Sequence, residues 1–385
     1  MRSVRDARDG AGRRELLRRG VGAACLGLFA GTGFGIGRAH AQAAGLGLVR
    51  PRPGQWFAEA PDGAVQCELC PWRCVLSPGE RARCRVRSNI DGVGHTLAYG
   101  NPVLLQEDPV ERLPFFHVHP GSWTLSVSTA GCNLHCQFCE VWDMALVQPE
   151  DLHAYDVPPR TVIEHAAAAN LRSVSYAFGE PVVFYEYMLE TAELARDAGL
   201  LNLLHTAAFI EPAPLRALCD TLDAANVDLK GFDESFYREV CGGELGPVLD
   251  SLVALREAGV HLEITNILVP TLNDDLGMVR RMCRWIRDEL GADVPLHFSR
   301  FYPLYKLANL PQTPVSTLEK AREAAMDEGL EFVYIAKVTG HDGEHTFCPG
   351  CGEAVIRRVG FIVDELRLED GRCSACGEGI PGRWS

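Results

Sequence analysis

The chain has 385 residues, 47% hydrophobic and 23% charged, with a formal net charge of −14. That is enough apolar content for more than one ordinary core, and the acidic balance excludes a protein that works by neutralising phosphate, so nucleic acid is not an expected partner. Nothing in the mature region reads as a membrane span, and most of the 15 cysteines fall in close groups that suit metal ligation better than a disulfide framework.

Residues 1–41 read as an export signal. Arg13-Arg14 and Leu16-Leu17 precede a weakly apolar Gly/Ala-rich run from Gly20 to Ile36, and Ala39-His40-Ala41 is a small-x-small cleavage pattern before Gln42. Paired arginines followed by leucines resemble a twin-arginine signal, a route for folded, cofactor-loaded proteins. The expected destination is the periplasm or cell envelope, with the cytoplasm as the alternative if the signal is inefficient. Cys25 reads as an inert part of this segment.

Residues 42–120 form a four-cysteine module and a connector. Cys67, Cys70, Cys74 and Cys84 run C-x2-C-x3-C-x9-C among Pro71, Pro78 and Gly79. Four thiolates fit zinc or iron as a single ion, and equally an auxiliary iron–sulfur cluster. The favoured role is a folding staple for a segment with little core, with electron relay as the sharper alternative. Tyr99 to His119 carries apolar alternation with Pro102, Pro109 and Pro114, and reads as a connector wrapping into the main domain.

Residues 121–338 alternate β-rich runs with amphipathic helical segments. Expected strands are Leu125 to Thr129, Ser173 to Ala177, Leu201 to His205, Asn226 to Leu229, Leu262 to Leu268 and Pro295 to Phe301. Helical patterns lie between them, such as Leu215 to Ala225 and Pro247 to Ala258, and a further strand-like run, Glu331 to Ile335, follows. The pattern predicts parallel βαβ units, and six of them fit an α/β fold of the partial (β/α)6 TIM-like barrel type. Reactive residues of such folds gather at the C-terminal ends of strands.

The loop after the first of these strands carries Cys132, Cys136 and Cys139 as C-x3-C-x2-C, with Phe138 before the last cysteine. Three thiolates this close can hold one [4Fe–4S] cluster and leave one iron without a protein ligand, able to bind and activate a small molecule. A zinc knuckle would need a fourth ligand, for which only His135 is at hand. After the second strand, Gly179-Glu180-Pro181 puts a carboxylate beside that loop, although the tripeptide in isolation is most often a turn. His205-Thr206 offers polar groups after the third strand. Asp228 and Lys230 share a face after the fourth, as an ion pair or as ligand-binding groups. His297 and Arg300 fall on opposite faces of the sixth strand, His297 reading equally well as a satisfied core residue, and Asn266 is a weaker candidate. Cys219, Cys241 and Cys283 read as ordinary small core residues.

Residues 339–385 hold Cys348, Cys351, Cys373 and Cys376 in matched C-x2-C-Gly turns around a hairpin-like run, Ala354 to Leu368. This is a zinc-ribbon or rubredoxin-like pattern, with zinc as the expected staple and iron as the alternative.

The loop spacing resembles the signature of radical S-adenosylmethionine (SAM) enzymes. With Phe-Gly-Glu-Pro at 178–181, Asn-Val-Asp-Leu-Lys at 226–230, Glu-Val-Cys-Gly-Gly at 239–243 and Val-Pro-Leu-His-Phe at 294–298, the chain resembles the radical SAM component of the AmmeMemoRadiSam system. That group is similar to pyruvate formate-lyase activating enzymes. The resemblance implies a radical SAM barrel and a [4Fe–4S] cluster on Cys132, Cys136 and Cys139. It also implies SAM on the open iron with Glu180 near its amino group, and Asp228 near its carboxylate or a neighbouring monovalent cation. The implied activity is reductive cleavage of SAM to a 5′-deoxyadenosyl radical that takes hydrogen from a substrate, a glycyl residue of a partner protein by analogy. Implied partners are a low-potential electron donor, a protein substrate, and Memo-like and AMMECR-type proteins. The likeness breaks at Leu204 to Ala208, where relatives carry Thr-Asn-Gly. Competing readings are a radical SAM methyltransferase or maturase, and a non-catalytic metal-dependent interaction protein.

Overall fold

An eight-stranded sheet organises the computed structural model, which describes residues 42–384. The signal expected at residues 1–41 lies outside the described residues. The strands are β1 (Leu104–Pro109), β2 (Trp123–Ser128), β3 (Ser173–Tyr176), β4 (Leu201–Thr206), β5 (Ala224–Asp228), β6 (His261–Leu268), β7 (Leu296–Arg300) and β8 (Val333–Ala336), each beside its neighbour in sequence. From β2 onward they are parallel, and β1 joins β2 antiparallel. The crossovers carry helices α1 (Pro159–Ala168), α2 (Tyr185–Asp197), α3 (Pro212–Cys219), α4 (Leu245–Glu257), α5 (Leu276–Trp285) and α6 (Val315–Asp327), as parallel pairing requires.

Residue alternation assigns the two faces of the sheet. Leu125, Val127, Val174, Leu204, Val227, Ile264 and Phe298 meet the apolar stripes of the helices in the main core. The opposite, inner face is covered by the chain itself: Val110, Leu113, Phe115 and Val118 pack on Ala177, Leu203 and Ala224. Asn226 Nδ2 donates to the Pro114 carbonyl at 2.8 Å, tying that segment to β5. The expected connector therefore supplies β1 and then the filling of the inner face. The helix expected over Leu215 to Ala225 ends at Cys219, and Ala224 and Ala225, both fully buried, open β5 instead. Burial between two layers outweighs alanine's helix preference there.

The N-terminal cysteines lie among short antiparallel strands, Phe57–Glu59, Val65–Cys67 and Val75–Leu76. Val65, Leu69, Leu76 and Val86 join the main core. Arg87 locks the segment to α2 through bonds of 2.6 and 2.8 Å to the Glu186 carboxylate, both side chains being buried. At the other end of the chain, β9 (Ala354–Val359) and β10 (Ile362–Leu366) form a hairpin. Its base packs on Tyr334 of β8 and on Phe332 just before that strand. Among the described residues no helix is long and apolar enough to cross a membrane.

Candidate active site

The backbone leaves β2 at Ser128 and turns at Gly131, whose φ of +100° and whose Cβ position 2.7 Å from the Cys84 carbonyl oxygen admit only glycine. The following loop is laid against a π-helical turn, Tyr237–Cys241, a departure from regular helix often found at functional sites. His135 N donates to the Cys241 carbonyl at 2.8 Å and Gln137 N to the Val240 carbonyl at 2.9 Å. A Cβ on Gly243 would meet Leu134 Cδ2 at 2.5 Å, so Gly243 lets the loop seat. Asn133 fixes the other side, donating from Nδ2 to the Phe209 carbonyl at 2.7 Å.

This loop brings Cys132, Cys136 and Cys139 to one cavity of about 710 Å³ at the C-terminal edge of the sheet, which Glu180, Asp228 and Lys230 also line. Their sulfurs are not drawn together as a single ion would need. Among the described residues only Cys348, Cys351, Cys373 and Cys376 form a metal-type set with all ligand atoms within 4.8 Å. Three thiols spaced more widely around open volume fit a polynuclear iron–sulfur group better than one ion. Burial and the Glu180 charge raise the Cys132 thiol well above its ordinary value. Cys136 is lowered, chiefly by its neighbour Cys241 and then by Lys230.

Glu180 is 3% exposed, and its carboxylate is held in place by its neighbours. Oε1 accepts from Thr206 Oγ1 at 2.5 Å and from Val182 N at 3.1 Å, and Oε2 accepts from Ala207 N at 2.9 Å. Burial raises its pKa and these three bonds oppose the rise. Gly179 makes room: a Cβ there would stand 2.7 Å from Ser128 Oγ. Next to it, Asp228 Oδ2 accepts from Lys230 Nζ at 2.6 Å, and Oδ1 lies 3.3 Å from His205 Nε2. Burial alone would raise Asp228, but Lys230 and His205 hold it below the usual carboxylate range, and Lys230 is raised in turn against its own burial.

A family model described as the Radical SAM superfamily matches residues 126–283. An uncharacterised protein of Methanocaldococcus jannaschii is 40% identical over 331 residues, covering 86% of this chain and 98% of that protein. The chain belongs to the radical SAM superfamily. It is homologous to the pyruvate formate-lyase-activating enzyme of Clostridium pasteurianum, at 25% identity over 175 residues, 44% of this chain and 71% of that one. A GTP 3′,8-cyclase of Bradyrhizobium diazoefficiens is 25% identical over 265 residues, 63% of this chain and 75% of its own. Relatives that catalyse such different reactions leave the specific reaction open; membership of the superfamily implies a [4Fe–4S] cluster and SAM.

Within this radical SAM protein the remaining sequence candidates lie elsewhere. His297 is fully buried near the N-terminal edge, its Nε2 bonded to Glu263 Oε2 at 2.7 Å. Asn266 donates from Nδ2 to the Leu229 carbonyl at 2.7 Å, and Arg300 from Nε to the Thr313 carbonyl at 2.9 Å. Both bonds are structural. Cys67, Cys70, Cys74 and Cys84 line a separate hollow behind the cluster loop. Cys283 is buried core, as expected, but Cys241 is more than that, with its carbonyl oxygen 3.9 Å from Cys136 Sγ. The Gly-Gly pair after Cys241 was the available signal, since consecutive glycines in an otherwise helical run mark close backbone approach. Nothing local to Leu204–Ala208 announces that Thr206 and Ala207 grip Glu180.

Proposed function

We propose that this protein cleaves SAM reductively with a [4Fe–4S] cluster held by Cys132, Cys136 and Cys139, and that the resulting radical abstracts hydrogen from a substrate at the same cavity. One observation carries the reading: the three cysteines line a single cavity together with a buried carboxylate, Glu180, and the Asp228–Lys230 pair. Cys132, Cys136 and Cys139 would hold the cluster, which would supply the one electron needed to cleave the S–C5′ bond of SAM to methionine and the 5′-deoxyadenosyl radical. The chain's own residues orient and shield. Glu180, positioned by Thr206, Val182 and Ala207, accepts from the ammonium of SAM. Asp228, kept anionic by Lys230 and His205, acts beside the SAM carboxylate, where Lys230 supplies the matching positive charge. Buried neighbours such as Leu134 and Phe138 keep water from the reacting bond.

The further parts of this reading are an overall partial (β/α)6 barrel and a glycyl residue of a partner protein as hydrogen donor. The second rests on homology to an activating enzyme. Exposed apolar side chains at the cavity, Tyr302, Leu304 and Phe361, suit a polypeptide substrate. The reductant is a low-potential one-electron donor, the associated proteins are Memo-like and AMMECR-type, and zinc in the C-terminal ribbon staples the fold. Residues 1–41 direct the loaded protein to the periplasm or envelope, which cell fractionation with N-terminal sequencing at Gln42 tests.

The decisive experiment is anaerobic reconstitution with iron and sulfide, followed by dithionite and SAM. 5′-Deoxyadenosine is expected, and none from Cys132→Ala. No 5′-deoxyadenosine from the intact protein, with unchanged iron in Cys132→Ala, removes the reading. Transfer of the SAM methyl group to a product would instead move the protein to the methyltransferases.

A further inference from the structure

Two groups of four cysteines flank the sheet, and their sulfurs are arranged differently. In the ribbon, Cys348, Cys351, Cys373 and Cys376 lie within 4.8 Å of one another, with Cys348–Cys376 at 3.6 Å and Cys351–Cys373 at 3.7 Å. Thiolates bound at about 2.3 Å to one tetrahedral ion stand about 3.8 Å apart, so the ribbon is set for one ion. Cys67, Cys70, Cys74 and Cys84 do not close to that distance. They border a small hollow of about 10 Å³. Like Cys132, Cys136 and Cys139, they contain no three sulfurs within 4.8 Å of one another. Thiolates on the corners of a cubane cluster stand about 6 Å apart, because the iron–sulfur core lies between them.

The wall of the hollow suits an anionic cluster. Arg83 lines it, stacked over Trp72 at 4.0 Å, as does Arg87, fully buried in its pair with Glu186. Asn133, the residue after Cys132, lines the same hollow, and its carbonyl accepts from Trp72 Nε1 at 2.8 Å.

We propose that Cys67, Cys70, Cys74 and Cys84 bind a second [4Fe–4S] cluster in direct packing contact with the loop that carries Cys132. With a protein thiolate on every iron, this cluster has no corner for SAM. Its role is one-electron transfer: it takes an electron from a low-potential iron–sulfur or flavin protein and passes it on through the Trp72–Asn133 contact, no bond being made or broken. The site itself stands apart from the SAM-cleavage reading; the relay rests on it.

The test separates the two. A Cys132→Ala/Cys136→Ala/Cys139→Ala variant, reconstituted anaerobically, is expected to keep about four irons and four sulfides per chain. On reduction it should give a cubane EPR signal that SAM does not perturb. Zinc at the N-terminal quartet with no iron in that variant overturns the proposal. Because the triple variant could fail to fold, Mössbauer spectroscopy of the intact ⁵⁷Fe-loaded protein is the second measurement. About eight irons per chain in two cubane environments support the proposal, and about four in one environment reject it. These outcomes hold whether or not 5′-deoxyadenosine forms.

Discussion

At the C-terminal edge of the sheet Asp228, Lys230, His205 and Glu180 border a cavity, whereas at the N-terminal edge Glu263, His117, His297 and Arg358 are fully buried. Both edges bury charge, and both set His and carboxylate on inward-facing strand positions. What separates them is how many lone pairs are already spoken for. Glu263 Oε1 accepts from His117 N at 2.9 Å and sits 3.4 Å from His261 Nε2, and Oε2 accepts from Phe116 N at 3.1 Å and from His297. Arg358 donates to the Phe116 carbonyl at 2.7 Å and to Thr346 Oγ1 at 2.8 Å, which ties the C-terminal ribbon to the segment filling the inner face. That edge is a fastening. Glu180, by contrast, has three donors holding it and a free side toward the cavity. A buried carboxylate on a strand end is therefore a site only where space and an acceptor remain.

The comparison can be broken from either side. Cys132→Ala is expected to reduce 5′-deoxyadenosine formation to the level of a control without protein, the largest effect, while shifting the stability of the metal-free chain by less than about 1 kcal/mol. Glu263→Ala should do the reverse. Removing that carboxylate leaves His297 and two backbone N–H groups unpaired in the interior, and urea denaturation should register a loss of roughly 3–5 kcal/mol. Iron content and SAM binding of the remaining folded protein should stay unchanged. Glu180→Gln should weaken SAM binding about 10- to 100-fold by titration calorimetry, as expected for loss of a charge-assisted bond of roughly 1.5–3 kcal/mol, with cluster absorbance retained. Equal SAM affinity in that variant would take Glu180 out of the site.

The smallest effect is in pH, and its sign differs between groups at the N-terminal edge. Burial lowers His117 to about 3 from an ordinary value of 6.5. Between these values the unfolded chain binds more protons, so stability falls on acidification by up to about 1.4 kcal/mol per pH unit. Burial raises Glu111 to about 7 from 4.5. Its folded form binds more protons over that window, so its contribution is full below 4.5 and is lost as pH rises to 7. The two oppose each other between 4.5 and 6.5. Below 4.5 only the losses remain, joined by Glu263, which is held below its ordinary value against burial by His261 and His297. Urea midpoints from pH 3.5 to 7 should therefore drop more steeply below 4.5. Glu111→Gln should steepen the upper limb; a profile superposing on the wild type would show that Glu111 does not carry this term.

Much was legible from residues alone because it is encoded locally. The alternation of strands and helices follows from periodicity, and the cluster loop from the spacing of Cys132, Cys136 and Cys139. The pairing of Asp228 with Lys230 follows from their sharing a strand face. The ribbon quartet was equally legible, since each C-x2-C-Gly turn sets its own geometry. The filling of the inner face by Val110, Leu113, Phe115 and Val118 was not, because apolar alternation in a proline-broken segment does not say which surface it will cover.

By itself, then, the sequence determined which residues could ligate metal and that a parallel sheet would carry a cysteine loop after its first parallel strand, but not the antiparallel strand Leu104–Pro109 that precedes it. Only the tertiary structure decided which polar groups have room to act. It put Thr206 and Ala207 on Glu180, Cys241 beside Cys136, and His297 on Glu263 away from the cavity. It also spread the N-terminal quartet around a hollow while closing the C-terminal one. The physical reason is that ligand spacing and leftover hydrogen-bonding capacity are properties of contacts between segments tens to hundreds of residues apart, as Arg358 on Phe116 illustrates. No local pattern carries them.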